Sequence, residues 1–253
     1  MLNEERRRAI LQLVGRDGRA LVKDLARRFR TSEVTIRKDV EVLHSHGLLH
    51  RTHGGVLPLQ GGALSDPTLR DKEELHRSEK QRIGTAAASL VKEGDVVILD
   101  SGTTTTCVAR MLRDFTNLTI ITNAVNIATE LAGASPEVIL TGGILRKNSF
   151  SLVGPIAEET LHRLNADILF LGVDGFDVQY GLSTPNLLEA KVNRAMIDIS
   201  KQIVAVCDSS KFGRRSLSLI APTSALHHTI TDTQAPPSDI RTLKKLGIGI
   251  TLV

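Results

Sequence analysis

The residues best suited to chemistry lie in Val96-Val97-Ile98-Leu99-Asp100-Ser101-Gly102-Thr103-Thr104-Thr105-Thr106. Four apolar residues run into an acid, then Ser-Gly, then four hydroxyls, and Val108, Ala109 and Leu112 follow at helical spacing. This pattern predicts a strand, a tight turn and a helix N-terminus. The first N–H groups of a helix lack intrahelical partners and stand at the positive end of its macrodipole, so an anion placed there is both hydrogen-bonded and electrostatically favoured. Gly102 lets a ligand approach the backbone, and the hydroxyls add donors without bulk. A phosphate fits such a loop. Ser and Thr are also preferred N-caps, but one hydroxyl is enough for a cap and this turn offers more. The lysine and spacing of a Walker A loop are missing, so nucleotide hydrolysis is not implied.

The elements that must position this loop alternate along the chain. Strand-like runs are Val96–Leu99, Leu118–Thr122, Val138–Leu140, Ile168–Val173, Ile203–Val206, Thr229–Thr231 and Ile248–Val253. Helical patterns lie between most of them, near 104–113, 124–133, 153–164, 187–200 and 238–246, and a polar helix over Leu69–Val91 precedes them. Strands that are apolar throughout and separated by helices predict an α/β domain with a mostly parallel, Rossmann-like sheet buried on both faces. Ligands bind such sheets at the carboxyl ends of the strands. Those ends carry Asp100 to Thr106, Thr122-Asn123, Thr141-Gly142-Gly143, Asp174-Gly175 and Asp208-Ser209-Ser210-Lys211. Small polar and charged residues converging on one rim predict a binding crevice. Lys211 is either the cation a phosphate needs or a solvated surface lysine.

The 253 residues suffice for two domains and carry a net charge of +4. Residues 1–57 hold 12 Lys and Arg against 7 Asp and Glu, so the whole excess sits at the start of the chain. A small basic module joined to a neutral one is the pattern of a nucleic-acid binder with a second function. Aromatics are 3% with no Trp, which favours double-stranded DNA over modules that stack bases on rings. No apolar run approaches a membrane span and no signal core follows the charged start, so a soluble, cytoplasmic protein is expected, with no membrane partner. Cys107 and Cys207 read as buried thiols outside any metal cluster; neither a metal nor a cofactor is expected.

Within the basic module, Ile10, Leu11, Leu13 and Val14 give a first helix stopped by Gly15 and Asp17-Gly18, and Leu21 to Phe29 a second. Ser32 is placed as N-cap of a third helix, about Glu33 to His46, with Val34, Ile36, Val40 and Leu43 inward, Thr35, Arg37 and Lys38 outward, and Gly47 ending it. The alternating run Leu48 to Val56, with its Gly54-Gly55 turn signal, predicts a hairpin wing. The expectation is a winged helix-turn-helix over residues 1–57. Arg37 and Lys38 sit on the recognition helix, and Arg51 and His53 on the wing, toward the phosphate backbone. The Gly- and Pro-rich stretch from Leu57 to Pro67 reads as the linker, so residues 58–75 join this module to a domain over 76–253.

Ser32-Glu33-Val34-Thr35-Ile36-Arg37-Lys38-Asp39-Val40, followed by Arg51-Thr52-His53-Gly54-Gly55, resembles the signature of the DeoR family of bacterial transcriptional regulators. The resemblance extends over nearly the whole chain, through Asp100 to Thr105, Thr122-Asn123, Thr141-Gly142-Gly143, Asp174-Gly175, Glu189 with Lys191, and Asp208 to Phe212. It implies a fold similar to ribose-phosphate isomerases and glucosamine-phosphate deaminases. It implies too that Ser101, Gly102, Thr103, Thr104, Thr105 and Lys211 bind phosphate, and that Asp174, Glu189 and Lys191 face a sugar. Gly175-Phe176-Asp177, Gly181 to Asn186 and Glu189 to Arg194 look most like the branch tied to amino sugars such as N-acetylgalactosamine.

Two functions are compatible with this reading. One is a repressor of a carbohydrate operon, a homodimer or homotetramer on double-stranded operator DNA, whose affinity is set by a phosphorylated sugar, with the linker and the helix from Leu69 as the bistable elements. The other is a sugar-phosphate isomerase or deaminase carrying a DNA-binding module, with Asp174 and Glu189 as acid and base. No His lies between Asp174 and Glu189 to assist ring opening, and a regulator gains nothing by destroying its signal, so the expectation is a regulator and not an enzyme.

Overall fold

A computed structural model describes residues 3–17, 19–45, 49–52, 54–58 and 66–253. The chain divides into two compact units, Met1–Gly62 and Ala63–Val253.

The first unit runs α1 (Asn3–Asp17), β1 (Ala20–Leu21), α2 (Val22–Arg28), α3 (Glu33–Ser45), β2 (Leu49–Thr52) and β3 (Gly55–Pro58). Ile10, Val14, Leu25, Ile36, Val40, Leu43, Leu49 and Val56 form its core. The two later strands pair as the expected hairpin, and the short β1 adds a third strand that the sequence pattern does not reveal. Helix α1 continues through Gly15 and ends at Asp17, so of the expected stop signals Gly15 alone does not break it; Val14, just before it, is buried in the core. The expected helix end at Gly47 and the wing residue His53 lie outside the described residues.

The second unit runs α4 (Leu69–Glu73), α5 (Arg77–Ala88), β4 (Val96–Leu99), α6 (Thr103–Met111), β5 (Thr119–Thr122), α7 (Val125–Leu131), β6 (Glu137–Leu140), β7 (Ile144–Leu145), β8 (Leu152–Val153), α8 (Pro155–Leu161), β9 (Ala166–Leu171), β10 (Gly175–Asp177), β11 (Gly181–Thr184), α9 (Leu187–Asp198), β12 (Ser200–Val206), β13 (Ser218–Ala221), β14 (His228–Thr231), α10 (Pro237–Lys245) and β15 (Gly249–Leu252). Seven strands form one parallel sheet in the order β15-β14-β12-β9-β4-β5-β6. Alternate residues of the strands feed two apolar layers. Val97, Leu99 and Ile120 pack with α5, α6 and α7, whereas Ile98, Ile121 and Leu169 pack with α8, α9 and α10. The chain leaves β4 toward β5 and β6, then returns to the other side of β4 with β9, which makes the carboxyl ends of β4 and β9 the topological switch point.

The sequence pattern needs revision in two places. The single helix expected over Leu69–Val91 is broken between α4 and α5, where His76 takes a left-handed conformation at φ 53° and Lys80 Nζ donates to the Lys72 carbonyl at 2.5 Å. Gly181 to Thr184, read as loop, is the middle strand of a small antiparallel sheet, β10-β11-β13. Its strands are too short to display a period, and Gly181 is needed because a Cβ there would lie 2.3 Å from the Ala221 carbonyl oxygen. Among the described residues no helix is long and apolar enough to cross a membrane.

Candidate functional site

At the switch point the β4 loop opens into α6, whose N-cap is Gly102. Thr105 and Thr106 turn their hydroxyls back onto the Gly102 carbonyl, at 3.0 and 2.6 Å, and so tighten the first turn. Ser101 and Thr103 are half-buried, and no side-chain hydrogen bond of theirs is found among the described residues. Their hydroxyls remain beside the first N–H groups of the helix, which lack partners by construction. Asp100 is buried, and its Oδ1 accepts the Gly172 N–H at 3.0 Å, tying the end of β4 to the end of β9. Burial, followed by repulsion from Glu189 and Asp174, outweighs that hydrogen bond and pushes the Asp100 carboxyl well above its ordinary range.

Two further carboxylates face this loop. Glu189, in the first turn of α9, accepts from Ser149 and Ser151 at 2.6 and 2.8 Å, from Thr184 at 3.2 Å and from Arg146 at 2.5 Å. Asp174 accepts from Lys72 Nζ at 2.7 Å, and the single Thr184 hydroxyl proton, 3.2 Å from each carboxylate, is shared between Asp174 and Glu189. Burial alone would raise the Asp174 carboxyl, but Lys72 and Lys211 prevail and hold it below the usual range. Arg146 also pairs with Asp66. Asn123, buried at the end of β5, donates Nδ2 to the Leu152 carbonyl at 3.1 Å and leaves its Oδ1 without a partner. Thr141-Gly142-Gly143 turns into β7, and at Gly143 a Cβ would lie 2.7 Å from the Val153 carbonyl oxygen, so that glycine is required by packing.

In the first unit Ser32 Oγ accepts the Thr35 N–H at 3.1 Å and its hydroxyl meets that of Thr35 at 2.9 Å, as a capping residue should. Val34, expected inside, is 61% exposed. Val34, Arg37, Lys38 and Glu41 share one exposed stripe at i, i+3, i+4 and i+7, opposite buried Ile36, Val40 and Leu43, so a recognition face carries an apolar side chain beside two cations. Several cations of this unit are used internally. Asp39 is buried and takes Arg6 at 2.6 Å and Arg7 at 2.9 Å, Arg37 pairs with Glu33 at 3.0 Å, and Arg51 pairs with Glu41. Lys38 has no ion-pair partner among the described residues.

Both units match known family models: residues 6–60 match a DeoR-like helix-turn-helix domain and residues 75–233 a DeoR C-terminal sensor domain. The chain belongs to the DeoR family of transcriptional regulators. It is 39% identical over 251 residues to a protein of Escherichia coli O157:H7 whose name assigns it, provisionally, to repression of the aga operon, covering 98% of this chain and 93% of that one. It is 30% identical over 253 residues to the glycerol-3-phosphate regulon repressor of Escherichia coli strain K12, covering 100% of each. These relatives are named as transcriptional repressors and not as enzymes, and this chain belongs to the same family of regulators. A ribose 5-phosphate isomerase A from Methanocaldococcus jannaschii aligns with a TM-score of 0.42 and 17% identity, over 54% of this chain and 55% of that one.

The DeoR sensor domain departs from the sequence-based site in its cations. Lys191 is exposed, because two positions beyond Glu189 it points about 200° round α9, and the structure does not bring it to the crevice. Its place is taken by Arg146 and by Lys72 and Lys80, none of which the motif reading singled out. Lys80 is buried at 4% exposure, and burial lowers its ammonium to about 8 despite Asp208, with Lys211 adding to the shift. A signal for Lys80 was present: it lies on the stripe of Ile83, Gly84 and Ala87, so a lysine falls on the buried face of α5. Lys211, in a short turn of 3-10 helix, has no side-chain hydrogen bond among the described residues, yet it is close enough to lower the Asp174 and Asp208 carboxyls.

Proposed function

We propose that this protein represses a carbohydrate operon and that a phosphorylated sugar, held where β4 and β9 end, sets its affinity for double-stranded operator DNA. Residues 1–57 are the DNA-binding domain in this reading, 58–75 the connection, and 76–253 the effector domain. The observation that carries it is the meeting of an open helix start, cations and carboxylates in one crevice, where Lys211 lies near enough to lower Asp174 and Lys80 bonds the Lys72 carbonyl. At one end is the start of α6, with Ser101, Gly102, Thr103 and Thr104. At the other are Asp174 and Glu189, with Asp100 fixing the frame between them. The first set suits a dianion and the second suits hydroxyls. The amino-sugar class is part of this proposal, on the resemblance of Gly181 to Arg194 to one branch of the family.

On the DNA, α3 enters the major groove, with Ser32, Thr35, Arg37 and Lys38 at its leading end and Val34 available to a thymine methyl. Arg51 and His53 hold the backbone from the wing. Two copies on a two-fold operator, or a tetramer of such dimers, supply the second half-site. The ligand acts only through a difference in its affinity for the DNA-competent and DNA-incompetent arrangements.

Fluorescence anisotropy of labelled operator DNA, with phosphorylated amino sugars and plain hexose phosphates titrated in, tests this reading. An effector moves the operator Kd several-fold; if no sugar phosphate moves it, the sensor assignment fails. Arg37→Ala costs about 1–3 kcal/mol on the true operator if Arg37 reads a base edge, whereas a phosphate contact weakens all sequences alike and lowers the salt slope.

A further inference from the structure

Helix α4 lies across the Asp174–Glu189 end of the crevice although none of its residues is buried. Its attachments are polar. Asp66 pairs with Arg146 and takes Asn148 Nδ2 at 3.3 Å, the Leu69 N–H donates to the Asn148 carbonyl at 2.6 Å, and Lys72 donates to Asp174 at 2.7 Å. Lys80 donates to the carbonyl of Lys72 at 2.5 Å, and His76 Nε2 stands 3.9 Å from Asp208. A five-residue helix without an apolar face has no stability of its own beyond its Thr68–Asp71 capping box, so these contacts, with the exposed Glu73–Arg110 pair to α6 at 3.9 Å, decide whether it stays. His76, a non-glycine residue in the left-handed region, separates it from the firmly packed α5 and supplies a place to bend.

We propose that α4 is a displaceable strap and that Lys72 is the residue through which ligand occupancy releases it. The proposal rests on the sugar-phosphate reading and specifies how that site is regulated. The two ends of one ligand draw on the two contacts of one residue. A sugar hydroxyl that donates to Asp174 competes with the Lys72 ammonium for that carboxylate, and a phosphate that draws Lys80 toward itself competes with the Lys72 carbonyl for that ammonium. Either half alone weakens one contact, and a sugar phosphate weakens both. The strap begins at the residues that directly follow the stretch joining the two units, so its release changes the tether of the DNA-binding unit without a path through the sheet.

Hydrogen exchange read by mass spectrometry on the full chain tests this, with peptides over 66–75 as the reporter and β9 as the control. Without ligand, Lys72→Met raises exchange over 66–75 by about tenfold and leaves β9 unchanged, Asp174→Asn does the same, the double variant adds nothing, and Lys72→Arg restores protection. Sugar phosphates are then screened by thermal shift on wild type and Lys72→Met. A sugar phosphate that binds is expected to speed exchange over 66–75 in wild type and to bind Lys72→Met several-fold more tightly, because the internal competitor is gone. If it slows exchange there, or binds the variant more weakly, Lys72 grips the ligand and the strap proposal is overturned. Binding that leaves 66–75 unchanged also overturns the strap, with the sensor reading intact. If no sugar phosphate shifts the melting of either protein, both fall.

Discussion

The two ends of the crevice are built on opposite principles. The α6 end comes from one contiguous stretch, Asp100 to Thr106, and presents the first backbone N–H groups of the helix with the Ser101 and Thr103 hydroxyls, for which no side-chain partner is found among the described residues, whereas Thr105 and Thr106 are spent on the Gly102 carbonyl. The Asp174–Glu189 end draws on five stretches of chain, around Lys72, Arg146, Ser149–Ser151, Asp174–Thr184 and Glu189, and its carboxylates are already satisfied. An open end can take a ligand's charge directly. An end whose groups are already engaged weakens an internal contact when a ligand competes for the same group, and that makes it the end able to transmit a signal.

Substitutions should separate these ends by what they damage. Glu189→Ala leaves Ser149 and Ser151 without their carboxylate and Arg146 with Asp66 as its remaining acid, and is expected to cost about 1–3 kcal/mol of unfolding free energy in urea. A loss below about 1 kcal/mol would show the saturated end to be as loosely built as the other. Ser101→Ala and Thr103→Ala, at the open end, should change stability by no more than about 0.5 kcal/mol. Each should instead weaken sugar-phosphate binding about tenfold, as seen by calorimetry, since a charge-assisted hydrogen bond is lost only in the complex. If the stability and binding losses were reversed between the two sets, the contrast drawn here would be wrong.

Asp100 stands between the ends and tests the frame. Its carboxyl is raised by burial, so its contribution to stability is full below the ordinary carboxylate range near 4 and is lost as pH rises through the elevated folded value. Asp100→Asn keeps an acceptor for the Gly172 N–H without the charge, and is expected to gain about 1 kcal/mol near pH 7.5, a gain that vanishes near pH 4. Asp100→Ala loses the acceptor and should cost about 1–3 kcal/mol near pH 4, and less near pH 7.5, where wild type has lost the contribution of the raised carboxyl. Thermal melts across pH decide this, and a less stable Asn variant at pH 7.5 would mean that the ionised carboxylate is used.

The same contrast explains what was legible in the sequence. A helix start announces itself locally, because its cap residues, glycine and strand must be neighbours, and the seven parallel strands announce themselves through uninterrupted apolar runs. The other end is assembled by tertiary contacts. Asp174 and Glu189 were visible as motif residues, but nothing near Lys72 or Arg146 in sequence says that they pair with those carboxylates. Lys191 is implied by the family resemblance, and helical geometry turns it away. Val34 is apolar like inward Ile36, Val40 and Leu43, yet its spacing to Arg37, Lys38 and Glu41 puts it on the outer stripe.

The smallest predicted effect is a proton count, and it asks whether Lys80 belongs to the open end. Its ammonium sits near 8 because burial lowers it, so the charged form is about half populated at that pH. A phosphate dianion arriving beside it favours the charged form and draws its titration back upward, so binding at pH 8 should take up about half a proton. At pH 6 Lys80 is already charged, and a monoester, with its second ionisation near 6, instead releases protons as the dianion is selected. Calorimetry in buffers of different ionisation enthalpy reads this sign change directly. Lys80→Met should abolish the uptake at pH 8 and keep the release at pH 6, because the latter belongs to the ligand. Uptake that survives Lys80→Met would move the phosphate's cation elsewhere, and Lys211 would then be the group to vary.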